Sequence, residues 1–212
     1  MISFQKTLQA NTNDAFGYAV DAANLYEEIT GAKVNVWRML AGAPQNLVMW
    51  SQSAPTWAEV ADNNAKVAVN QKWRDLMNRH SGAWSTWPAV SATDNVASWI
   101  ARSKDWVDHG VGTVVLNSRV SLNQGADYFA AIGWLSEWCD FAARITGAQV
   151  AASVPMFGMS GFMDIGNFYA NVKNAENGRS AGMASAEWLT KFTEGAQFFS
   201  GNIERVAAQR VA

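Results

Sequence analysis

The chain has 212 residues, a formal net charge of −2, 16% charged residues and a single cysteine. Its sixteen Lys and Arg are scattered, so neither a nucleic-acid footprint nor an anionic membrane surface is expected as a partner. No apolar run approaches a membrane span, and one cysteine excludes an internal disulfide.

Residues 2–8 read as a strand, with Ile2, Phe4, Lys6 and Leu8 on one face. Asn11-Thr12-Asn13-Asp14 is a run of cap residues, and a helix follows on Phe16, Ala19, Val20, Ala23, Tyr26 and Ile29. Gly31 ends it, because glycine tolerates the left-handed conformation at that place. Residues 33–40 and 46–52 alternate and form a hairpin around Ala41-Gly42-Ala43-Pro44. A second helical region carries the stripe Ala61, Ala65, Val69, Trp73, Leu76, Met77 and His80, stopped by Ser81-Gly82. Residues 83–112 are less regular. Either 85–90 or 96–101 supplies a fourth strand, or 94–107 begins a connecting helix.

Residues 113–122 form the next strand, followed by a turn and cap at Asn123-Gln124-Gly125-Ala126-Asp127. Ile132, Leu135, Cys139, Ala142 and Ile145 form a helix stripe ended by Gly147. Residues 149–156 and 161–168 make a second hairpin, and 171–181 reads as an irregular lead-in. The stripe Ala184, Trp188, Phe192, Ala196 and Phe199 then runs to a stop at Ser200-Gly201. Residues 203–211 are the last strand.

Ile29-Thr30-Gly31-Ala32 returns unchanged as Ile145-Thr146-Gly147-Ala148, and the helix stripes before them keep the same spacing. The expected architecture is α+β: two ferredoxin-like β-α-β-β-α-β repeats, residues 1–103 and 104–212. Trp37, Met39, Val48, Trp50, Met163 and Ile165 cannot all point at helices, because strand neighbours face opposite sides. The bare apolar sheet faces are therefore expected to pack face to face.

This order of elements resembles the dimeric α/β-barrel superfamily, fused in tandem as a pseudo-dimeric α/β barrel. The resemblance rests on the element pattern and the repeated Ile-Thr-Gly-Ala phrase, not on a catalytic motif. It implies a ligand cleft between helices and sheet, and its members include cofactor-free monooxygenases of flat aromatics and haem enzymes such as chlorite dismutases. The haem members use an axial histidine from the second repeat. Here no histidine follows Thr113, a departure that argues against haem and leaves only a different axial ligand open; the expected cofactor complement is none.

Two histidines and one cysteine far apart give no metal-ligand spacing. His80 ends a helix beside Trp73 and Met77, and its counterpart in the second stripe is Phe199, so it reads as a bulky core ring. His109 lies in a polar turn. Cys139 matches Ala23 on the repeated stripe and reads as a buried small hydrophobe. No nucleophile elbow, P-loop or dinucleotide fingerprint occurs, and Gly158-Met159-Ser160-Gly161 reads as a hairpin turn.

Eleven tryptophans read first as a Trp-rich core and interface, and the sharper alternative is an apolar cavity lined by indoles for a small apolar or aromatic ligand. The expected site has Asn35 and Asp164 as catalytic, proton-handling groups, with Trp37, Trp50 and Arg38 binding substrate. Tyr18 and Tyr26 could bind a substrate hydroxyl or simply be buried. The expected function is a cytoplasmic enzyme of the cofactor-free monooxygenase type. The alternative is a non-catalytic ligand-binding or assembly module, with homodimerisation allowed.

Overall fold

The computed structural model describes residues 1–10, 15–44, 46–80, 93–156 and 161–212. Its elements are β1 (Ile2–Gln9), α1 (Ala15–Thr30), β2 (Val34–Ala41), β3 (Leu47–Ala54), α2 (Trp57–Val69), α3 (Gln71–Arg79), β4 (Thr93–Arg102), β5 (Val114–Leu122), α4 (Tyr128–Thr146), β6 (Gln149–Pro155), β7 (Phe162–Tyr169), α5 (Val172–Ala184), α6 (Ala186–Gly195) and β8 (Phe199–Arg210). The fold is α+β. Hydrogen-bonded strands follow the order β1-β3-β2-β8-β5-β7-β6-β4 in a closed antiparallel barrel. The chain forms two compact units, Met1–Ala97 with Gln209–Ala212, and Ser98–Ala208. Among the described residues, no helix is long and apolar enough to cross a membrane.

In the first unit β3 lies between β1 and β2. Phe4, Lys6 and Leu8 stand opposite Gln52, Trp50 and Val48, while Val34 and Val36 stand opposite Gln52 and Trp50. Side chains alternate along a strand, so these residues share one face. That face meets α1 through Ala15, Tyr18, Ala19, Ala22, Ala23 and Tyr26, and four of these six are alanines that let the helix approach closely. The chain end joins the unit: the Val36 amide donates to the Ala212 carbonyl (2.8 Å) and the Val211 amide to the Val36 carbonyl (2.7 Å).

The helix stop is as the sequence predicts. Gly31 has φ +74°, Thr30 Oγ1 donates to the Tyr26 carbonyl (2.7 Å), and the Ala32 amide donates to Thr30 Oγ1 (3.1 Å). The second helical region differs from expectation in two ways. It breaks at Asn70, which caps the end of α2 and the start of α3, its Oδ1 accepting from the Trp73 amide (3.2 Å). Its buried face is Val60, Asn63 and Val67, and Ala61, Ala65 and Val69 are exposed. Residues 94–107 do not begin a helix, since β4 takes the first nine of them as strand. The expected cap at 11–14, stop at 81–82, alternative strand at 85–90 and turn residues 158–160 lie outside the described residues.

In the second unit β7 lies between β5 and β6. Asp127 caps α4, accepting from the Phe129 and Ala130 amides (2.9 and 3.1 Å). At its other end Gly147 has φ +68°, Thr146 Oγ1 donates to the Ala142 carbonyl (2.7 Å), and the Ala148 amide donates to Thr146 Oγ1 (3.3 Å). Residues 171–181 are not irregular. Asn171 caps helix α5, with Oδ1 accepting from the Asn174 amide (2.9 Å). The next helix ends at Gly195 rather than at Ser200-Gly201, and Phe199 starts β8. Phe199 is thus a strand residue while His80 caps α3, so their expected correspondence does not hold.

Small residues in this unit make room for rings. A Cβ on Gly178 would lie 2.5 Å from the Tyr169 ring and 2.6 Å from the Thr146 carbonyl oxygen. One on Gly195 would lie 2.6 Å from the Trp134 ring. Trp134 stacks on Trp138 at 5.0 Å, and Trp138 meets Trp188 at 4.6 Å between centroids.

Candidate functional site

The first unit holds a cavity of about 670 Å³ between its helices and the even-numbered face of its strands. Phe4, Lys6, Leu8, Val34, Trp50 and Gln52 line it from the sheet. Tyr18 and Tyr26 line it from α1, Asn64, Val67 and Ala68 from α2, and Trp73, Arg74, Met77 and Asn78 from α3. The break at Asn70 lets the second helical segment turn, and Trp73 meets Tyr26 at 6.2 Å and Trp50 at 6.4 Å, both edge-on. Phe4 and Trp57 approach at 6.3 Å. The volume lies within the range of small-molecule pockets, and so does the balance of aromatic wall with few polar groups.

The polar groups converge on one place. The Tyr26 hydroxyl lies 3.1 Å from both Gln52 Oε1 and Asn64 Oδ1, and its single proton serves one of them at a time. Burial pushes the Tyr26 phenol above its usual pKa, only partly countered by the Gln52 hydrogen bond. It is therefore a donor at neutral pH, not a base. Gln52 Nε2 and Trp50 Nε1 are both buried and have no hydrogen-bond partner. Tyr18 donates to Met77 Sδ (2.8 Å) and stacks on His80 at 4.6 Å. His80 is thus a helix-end ring against Tyr18 and is not a lining residue of the cavity.

Of the residues expected from sequence, Trp50 lines the cavity. Asn35, Trp37 and Arg38 do not line it. Asn35 and Trp37 lie on the odd-numbered face of β2, where the Trp37 indole donates to Ser51 Oγ (2.8 Å) and Asn35 Oδ1 is buried without a partner. Arg38 is exposed and donates to Gln209 Oε1 from Nε (3.1 Å) and Nη2 (2.6 Å). Asp164 belongs to the second unit. It is buried and paired in bidentate fashion with Arg119, both contacts 3.0 Å, and Asn117 Nδ2 donates to its Oδ1 (3.4 Å). Cys139 is fully buried, and its thiol is pushed up to about 12, chiefly by burial and then by Asp140, which makes it inert. Among the described residues, no group of three or more His, Cys, Asp or Glu could hold a metal ion.

Sequence reasoning did not single out Gln52, Asn64, Trp73 or Lys6 as site residues. The available signal was parity: Lys6 and Gln52 fall on the same alternating face as Trp50 once the hairpin register is known.

No protein-family model matches the chain, and no curated protein does. Solved structures do. The chain is similar to a candidate monooxygenase of Fusobacterium nucleatum subsp. nucleatum, with 9% identity, a TM-score of 0.70, and coverage of 100% of this chain and 92% of that one. It is also similar to a candidate monooxygenase of Lactobacillus acidophilus, with 10% identity, a TM-score of 0.68, and coverage of 99% and 93%. An anthrone oxidase-like protein matches with 10% identity, a TM-score of 0.65, and coverage of 100% and 91%. Together with the closed barrel, these likenesses define the fold as the dimeric α/β-barrel type. At such identities they establish fold and nothing further.

Proposed function

We propose that the first unit is a small-molecule site and that the protein oxidises a flat, electron-rich aromatic with dioxygen, as a cofactor-free monooxygenase. The observation that carries this reading is the cavity of about 670 Å³ walled by Trp50, Trp57 and Trp73, with the Tyr26–Gln52–Asn64 cluster facing it. An activated ring methylene gives a balanced overall reaction. Its two C–H bonds break, one oxygen atom of O₂ becomes the carbonyl, and the other leaves with both hydrogens as water. The substrate supplies all the electrons.

The chain's part is to bind, exclude water and stabilise charge. Tyr26, kept protonated by burial, donates to the anionic oxygen that develops on the ring. The cavity lining contains no carboxylate and no histidine among the described residues, so the site suits a substrate acidic enough to ionise unaided.

That same absence favours a second reading, ligand binding without turnover. Oxygen uptake separates the two. Purified protein is incubated with a panel of quinols, phenols and anthrone, the last chosen because a structural neighbour is named as anthrone oxidase-like. Catalysis predicts one O₂ consumed per carbonyl formed, slowed by Tyr26→Phe. Saturable binding with no uptake across the panel selects the second reading, and no binding rejects both.

We further propose that the two units descend from one duplicated β-α-β-β-α-β half. The element order supports this, as does the central place of β3 and of β7. So do the two Ile-Thr-Gly-Ala phrases, which carry the same threonine hydrogen bonds and the same positive-φ glycine.

A further inference from the structure

Phe4 and Gln52, then Lys6 and Trp50, are successive cross-strand pairs on the cavity face of β1 and β3. Three of these four residues carry hydrogen-bond donors. Lys6 brings a positive charge, the Trp50 indole N–H is a pure donor, and the Gln52 amide has its oxygen beside Tyr26. Gln52 is 4% exposed, and both Gln52 Nε2 and Trp50 Nε1 lack an acceptor. A buried N–H without a partner is costly, and native structures rarely keep one without a reason. Arg74, at another part of the lining, adds a second cation, and no lining residue among those described is acidic.

Among the described residues this wall offers donors and positive charge to a ligand, and it is broad. Trp50 and Gln52 sit two residues apart on one strand, roughly 7 Å, which is wide for a single phenolate oxygen. A carboxylate presents two oxygens with about four acceptor positions. We infer that the cavity selects an aromatic carboxylate, its acid group placed against Lys6, Trp50 and Gln52 and its ring among the indoles. The inference rests on reading the cavity as a ligand site, and it adds the class of ligand and the residues that discriminate it.

The test uses a matched pair, 2-naphthoate and its neutral isostere 2-naphthamide, titrated calorimetrically into the intact protein at low ionic strength. A hydrogen bond to a charged group is about twice as strong as a neutral one, which sets the expected preference at about tenfold for naphthoate. Lys6→Met removes the charge while keeping an apolar stem. It is expected to bring the two affinities within about twofold by weakening naphthoate alone, and Lys6→Arg is expected to keep the preference. Unchanged naphthamide binding shows that the Lys6→Met protein is folded with its cavity intact. Equal affinities in the unaltered protein overturn the carboxylate assignment and leave the cavity reading standing. Failure of both ligands to bind overturns the assignment together with that reading.

Discussion

Replacing Tyr26 by phenylalanine removes one oxygen atom from the polar end of the cavity and nothing else. The residue is 7% exposed, and its hydroxyl is 3.1 Å from Gln52 Oε1. Gln52 Nε2 already lacks a partner, so the variant leaves the whole buried amide without one. Losing the bond and stranding an acceptor costs about 2 kcal/mol. For a chain of this length, that lowers the melting temperature by about 4–8 °C. Tyr18→Phe is the internal comparison. Its hydroxyl donates to a thioether sulfur, a weak acceptor, and its loss is expected to cost under about 1 kcal/mol. Adding Gln52→Leu to Tyr26→Phe removes both partners and should recover part of the loss, because the buried amide stranded by the single change is then gone. Circular dichroism melts and urea unfolding of the four proteins measure these differences. A Tyr26→Phe protein as stable as the original, or no more sensitive than Tyr18→Phe, would refute the reasoning that Tyr26 anchors Gln52.

Gly31→Ala and Gly147→Ala should each lose about 1 kcal/mol in urea unfolding, and by similar amounts, since both glycines have positive φ and open space where a Cβ would go. Two glycines in the second unit should respond with opposite signs. Gly195→Ala drives a methyl to 2.6 Å from the Trp134 ring and should cost about 1–3 kcal/mol, with a changed near-ultraviolet spectrum. Gly182→Ala meets Trp188 at an ordinary 3.5 Å and should gain about 0.5–1 kcal/mol from helix propensity. For Cys139, the folded state keeps its proton up to about 12 while the unfolded thiol ionises from about 9, so its contribution to stability is complete below pH 9 and fades as pH rises towards 12. Between pH 9 and 10 the unaltered protein should lose about 1 kcal/mol more than Cys139→Ala, measured by unfolding at each pH.

The two Ile-Thr-Gly-Ala helix stops were legible because a left-handed terminus admits few residues, and both hairpins were legible because alternation is a strict period. The register of α2 was not. Ala61, Ala65 and Val69 make as regular a stripe as Val60 and Val67, and only packing against α1 chooses between them. Asn70 reads as a polar helix surface until its side chain is seen capping a new helix. Helix α5 was hidden by Gly178 and Gly182, which disfavour a helix by about 1 kcal/mol each, yet the Tyr169 ring and the Thr146 carbonyl leave no space for a side chain at Gly178. In the site, Trp50 was legible as a large ring on a strand. Asn35 and Trp37 were grouped with it because facing requires pairing: Val36, not Trp37, stands opposite Trp50, and that one-residue parity puts Asn35 and Trp37 on the other side of the sheet.

The central claim is that the first unit's cavity admits a ligand, and Ala68→Trp tests it most directly. Ala68 is an exposed lining residue of α2, so an indole there narrows the cavity without displacing core. Calorimetric titration of 2-naphthamide is predicted to give one saturable site per chain in the unaltered protein and none in the variant, with melting temperatures within about 2 °C of each other. Equal binding by both proteins would contradict the account, because the ligand would then lie somewhere other than between the helices and the sheet.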